Sequence, residues 1–225
     1  MAVLTGLASS SPTEVLDAVG MAATSSSQLG PSQFQRVIKR LQGDKPGTAS
    51  LPEEEDLVQI YLSQLHMLLE DPEFGTCSVA EAATALMLPS DASKSEKLSL
   101  AFDLFAVPTG GAGHGAGAEG ADSRVVVTHQ GLEGVFRCLL ASLLSFHDDS
   151  SARNTADVRA DIQAASEAIA EDAMEHSGED TDLGQGPVKV LTMDSLSRWY
   201  NDGGFTVVPW FELLTRKKWN VPTSG

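Results

Sequence analysis

The chain of 225 residues carries 15 Lys plus Arg against 31 Asp plus Glu, a formal net charge of -16. Its 42% hydrophobic content can supply a packed core and excludes wholesale disorder, and its length suits one large or two small domains. A nucleic-acid role would need a basic face, and the only run of basic residues is Arg216, Lys217 and Lys218.

Met1-Ala2-Val3-Leu4 has no basic start or long apolar run of a signal peptide, and Ala2 stands where N-myristoylation needs glycine. Val15, Leu16 and Val19 share one face of a first helix, which ends at a Ser-rich gap spanning 24–28. Pro31 opens a second helix with Phe34, Val37, Ile38 and Leu41 on one side. Glu53 to Glu55 start a third at its dipole-favoured end; Leu57, Tyr61, Leu65 and Leu68 follow at helical spacing, and Val58, Leu62 and Leu69 widen the stripe. Pro72 and Gly75 stop it, and a helix over 79–88 ends before Pro89. Leu98, Phe102 and Phe105 form the next apolar face, broken at Pro108 and followed by a Gly/Ala-rich stretch. Val125-Val126-Val127 is a β-type patch, and Leu132, Val135, Phe136, Leu139 and Leu143 mark the helix after it. Val158, Ile162, Ala165 and Ile169 define one face of an acidic helix, and 177–186 reads as a loop rich in Gly and acids. A second β patch over 188–191 leads into a helix through Leu196 and Trp199, with Thr192 and Asp194 beside its N-cap.

Helix, loop, β patch, helix occurs four times, which predicts an all-α fold of two paired modules. The expected units are residues 1–90, residues 91–204 with an insertion at 106–124, and 205–225 as a C-terminal aromatic helix and tail. Each β patch is too short to stand alone, so Leu29 is expected beside Cys77 and Val127 beside Leu191 in antiparallel links. This layout resembles a degenerate EF-hand protein of the calcineurin-B-like or neuronal-calcium-sensor kind. The resemblance implies twelve-residue loops with oxygen ligands at places one, three, five, seven, nine and twelve and Gly at six. Counted from Glu70, Gly75 falls at six, Cys77 at the β place (eight), Ser78 at nine and Glu81 at twelve, while Pro72 and Phe74 at three and five offer no side-chain oxygen. Elsewhere Gln33, Gly131 and Ser195 stand at twelve; Ala22, Thr24 and Ser26 give the first loop no carboxylate, and Glu179, Asp180 and Asp182 lie upstream in the fourth. Glu70, Ser78 and Glu81 are therefore the candidate ligands of a weak, degenerate calcium site, and no other cofactor is implied. The segment 198–214, followed by Lys217-Lys218-Trp219, also resembles the end of the EF-hand-like region that precedes a TLDc domain.

Catalytic constellations fail one by one. Gly115, Gly117 and Gly120 spell G-x-G-x-x-G, but no buried strand leads in and no helix leads out, so a solvated insertion is the reading. His66, His114, His129, His147 and His176 are scattered, and Cys77 and Cys138 lack the spacing of a zinc site or the partners of a nucleophile. Two apolar-segment cysteines point to a reducing compartment, and the stretch 136–146 is too short to span a bilayer. The expectation is a non-enzymatic, cytoplasmic interaction module or adaptor with a protein partner, no nucleic acid and no transmembrane segment. The alternatives are a calcium sensor with an irregular site at the second or fourth loop, and the regulatory EF-hand region of a TLDc-type protein. Candidate partner-binding residues are Trp199, Trp210, Phe211, Leu214 and Trp219, because aromatic side chains dominate interface hot spots; the competing reading has them finish the core. A helix over 210–219 is expected, with Trp210, Leu213 and Leu214 on its buried face.

Overall fold

A computed structural model describes residues 10–23, 27–42, 52–107, 125–145, 154–184 and 186–215, with the side chains of 42 and 52–58 outside that description. The side chains of Leu57 and Val58, together with Thr24, Ser26, residues 108–124 of the insertion with their Gly115-to-Gly120 motif, His114, His147, Arg216, Lys217, Lys218 and Trp219, thus lie outside it. The described chain is mainly helical and carries two small antiparallel sheets.

In the first half, α1 (Pro12–Ala23) leads through β1 (Gln28–Leu29) into α2 (Pro31–Gln42), and α3 (Pro52–Leu69) leads through β2 (Cys77–Ser78) into α4 (Val79–Met87). The apolar positions read from helical spacing are the buried ones: Val15, Val19, Phe34, Val37, Ile38, Leu41, Tyr61, Leu65 and Leu68. β1 and β2 pair with Leu29 opposite Cys77, the expected register. Two residues per strand satisfy backbone groups that would otherwise be orphaned between helices.

The second half comprises α5 (Lys94–Phe105), β3 (Val126–Thr128), α6 (His129–Leu144), α7 (Thr155–Ser177), β4 (Glu179–Asp182), β5 (Pro187–Thr192) and α8 (Met193–Asn201). Val127 lies opposite Leu191, again as expected. The segment read as an acidic loop is instead strand β4, paired with β5 from Glu179↔Val190 to Asp182↔Pro187. A hairpin forms because Gly184 and Gly186 turn the chain with positive φ, and Asp182 Oδ1 accepts both of their N–H groups. On α7 the buried stripe runs through Ile162, Ser166, Ile169 and Ala170, and Ala165 is exposed. Ser166 tolerates burial because its hydroxyl donates to the Ile162 carbonyl at 2.7 Å.

Helix α6 joins the halves. Leu132, Val135, Phe136 and Leu139 belong to the second core, whereas Cys138 and Ala141 pack with the first. Its early turns pass so close to α5 that a Cβ on Gly134 would stand 2.5 Å from the Phe105 ring. After α8 the chain makes two 3-10 turns, Gly204–Thr206 and Pro209–Leu214, instead of one α-helix. With three residues per turn, Val208, Phe211 and Leu214 fall on one buried face and Leu213 is exposed, which corrects the expected Trp210-Leu213-Leu214 face.

Candidate functional site: the second loop and the groove beside it

The loop between α3 and β2 is closed by its own backbone. Asp71 N–H donates to the Thr76 carbonyl at 2.7 Å, and the Asp71 carbonyl accepts Gly75 N–H at 2.8 Å. Asp71 Oδ1 also takes the N–H groups of Glu73 and Phe74. Gly75 has φ +63, so the sixth place has the left-handed conformation that suits glycine. Phe74 stands at the tip, 70% exposed.

The three candidate ligands are engaged elsewhere. Glu81 Oε2 accepts Ser78 N–H at 2.8 Å while Ser78 Oγ accepts Glu81 N–H at 3.1 Å, a reciprocal capping box that starts α4. The other oxygen of Glu81 accepts from Arg137 of α6. Glu70 lies 3.3 Å from His66 Nδ1 and 3.6 Å from Arg159 Nη2 of α7. Two arginines from the second half thus neutralise Glu70 and Glu81, the two carboxylates among the candidate ligands. No group of three or more His, Cys, Asp or Glu side chains suited to a metal gathers among the described residues.

The same use of places nine and twelve recurs in every unit. Gln33 Oε1 accepts Gly30 N–H at 2.8 Å, Thr128 Oγ1 accepts Gly131 N–H at 3.2 Å, and Thr192 Oγ1 accepts Ser195 N–H at 3.1 Å. At Gly131 a side chain is excluded, since a Cβ would lie 2.9 Å from the Phe105 carbonyl oxygen. In the fourth unit, Asp180 pairs within the hairpin, Asp182 caps its turn and Glu179 stands 4.0 Å from Arg198.

Beside the loop, α2 and α3 leave a groove of about 490 Å³ lined by Phe34, Ile38, Lys39, Leu62, His66 and Met67 among others. His66 packs edge-on against Phe34 with ring centroids 5.3 Å apart. Of the exposed basic residues of α2, Lys39 lines this groove together with Glu70 of the loop, whereas Arg36 and Arg40 do not line it.

The aromatic candidates behave differently from a free interface. Trp199, Phe211 and Leu214 are buried, and Trp199 Nε1 donates to Asp172 at 2.7 Å. Trp210 is half-buried, edge-on to Phe136 and Phe211, and Tyr200 stacks on Phe211. Trp199 from α8 and, through the 3-10 register, Phe211 and Leu214 thus complete the second core instead of presenting a free face. Both thiols are likewise interior; burial pushes Cys77 and Cys138 up to about 12, so neither is a nucleophile at neutral pH. No described helix is long and apolar enough to cross a membrane. No protein-family model, curated protein or solved structure matches the chain.

Proposed function

We propose that the chain is a non-enzymatic, EF-hand-like protein-interaction module in which the loop residues that would ligate calcium serve helix capping and internal ion pairs. The observation that carries this reading is the fourfold recurrence of one arrangement: a buried β residue (Leu29, Cys77, Val127, Leu191), then a capping bond between the residues at places nine and twelve. A calcium ion needs six to eight oxygens free to converge. In the best-registered loop Glu70 and Glu81 already meet cations of the protein and Asp71 Oδ1 already accepts backbone N–H groups, so binding through the two glutamates would first have to break the Arg137 and Arg159 contacts. A module held in one state by these contacts suits an adaptor better than a switch.

Titration calorimetry with calcium at low ionic strength tests the reading, with no micromolar isotherm expected. A micromolar isotherm that Glu81→Gln abolishes would reject it in favour of a calcium sensor.

A further inference from the structure

The fourth unit departs from the other three in its strands. Each of the others carries one strand of two or three residues, whereas the fourth adds β4 in front of β5. The second sheet therefore runs β3-β5-β4, with β5 paired on both sides. Beyond β3 a bridge from Val107 to Val126 continues the ladder. At the opposite end, among the described strands, β4 pairs with β5 alone. Alternate residues of an antiparallel pair direct N–H and C=O away from their partner, so the outer side of β4 offers strand-type donors and acceptors.

Core packing does not account for the side chains of this strand. Glu179, Asp180 and Asp182 are exposed, Thr181 is half-buried, and β4 contains no apolar residue. No ion pair joins Asp180 or Asp182 to another described residue. Glu179 meets Arg198 at 4.0 Å with both side chains more than half exposed, where a pair contributes little. Lys189, opposite Asp180, is the one basic residue of β5. A second copy docking here would set acid against acid along the edge. The charges that oppose self-pairing thus favour a strand of opposite sign.

We infer that the outer edge of β4 takes up an extended basic segment of a partner protein as a fourth strand of the second sheet. Main-chain hydrogen bonds to β4 supply the docking, and lysine or arginine side chains beside Glu179 and Asp180 select the segment. An edge of four residues makes this a weak, transient contact. The inference rests on reading the chain as an interaction module and names its partner's chemistry; it is independent of whether calcium binds.

The test titrates the full 15N-labelled chain with a synthetic peptide of alternating lysine and valine. Saturable amide shifts centred on 179–182, with slowed hydrogen exchange at alternate residues of that strand, are expected. Affinity should fall at least fivefold for Glu179→Gln/Asp180→Asn, which leaves the turn-capping Asp182 in place. It should fall at least tenfold for the same peptide N-methylated at alternate residues, which keeps its charge and loses backbone donors. Equal binding of the N-methylated peptide or of a glutamate-valine peptide overturns the proposal. So do shifts spread over the acidic faces of the helices, or shifts that follow protein concentration alone, as a second copy on the edge would give. Any of these can occur with the calcium titration still flat, so the two readings fail separately.

Discussion

Gly131 shows how packing can close off a chemistry at a single position. In the proposed EF-hand register it takes the place of the bidentate acid, yet the Phe105 carbonyl would be 2.9 Å from any Cβ there. Gly131→Glu therefore restores the acidic side chain in sequence while forcing α5 and α6 apart. A destabilisation of about 1–3 kcal/mol by urea denaturation is expected, with no calcium affinity gained. A variant as stable as the parent that binds calcium at micromolar concentration would refute the packing account. Gly134, about five-sixths of a turn further along, is constrained by the ring of the same residue, Phe105.

At the scale of elements, the C-terminal 3-10 turn is held by charge as well as by apolar burial. Lys97 is only 2% exposed, and its ammonium donates to the carbonyls of Leu88 at 2.6 Å and Leu214 at 3.0 Å. Leu88 follows α4 and Leu214 ends the turn, so one lysine ties the end of the first half to the end of the described chain. Lys94 adds a bond to Glu212 at 2.9 Å, and Glu212 also accepts from Tyr200. Lys97→Met keeps the apolar stem and leaves both carbonyls without this donor, at an expected cost of about 2–4 kcal/mol. Ending the chain at Gly204 removes Val208, Phe211 and Leu214 from the core and should expose apolar surface on the order of several hundred Å². Dye binding and thermal melting check both changes. A truncated chain that melts at the parent temperature and binds no more dye would show the turn to be dispensable.

Across the whole molecule, the halves are joined by contacts whose partners lie far apart in sequence. Tyr61 of α3 is 3.0 Å from Ser142 of α6, whose hydroxyl donates to the Ala85 carbonyl, and Glu81 and Glu70 meet Arg137 of α6 and Arg159 of α7. Cys77, Cys138 and Tyr61 share the first core, and burial raises all three above their ordinary values. The sign of the resulting pH dependence follows directly. Unfolded thiols lose protons from about pH 8.5, whereas the folded ones hold them to about 12, so the unfolded state binds fewer protons in that interval and stability falls as pH rises. Each thiol contributes a slope of up to about 1.4 kcal/mol per pH unit there. Melting temperatures between pH 8 and 10.5 should fall less steeply for Cys77→Ala/Cys138→Ala than for the parent; parallel slopes would show that the thiols are not protected by the fold.

What the sequence determined by itself is local. Helical spacing identified the buried faces of α2, α3 and α6, and short β-type patches identified Leu29, Cys77, Val127 and Leu191 as pairing positions, whereas Ser78 and Glu81, read as ligands, form a capping box. These features depend on bonds and contacts within about one turn, or on pairing forced by patches too short to stand alone. Tertiary structure decided the rest. Whether Glu81 faces a metal or an arginine depends on where α6 places Arg137, and whether Phe211 or Leu213 is buried depends on the tighter 3-10 register. The acidic segment after α7 becomes strand β4 because β5 is positioned to accept it, overriding composition that favours a loop. The burial of His66 arises in the same way, since α2 brings Phe34 against a ring whose sequence neighbours show only another helical position.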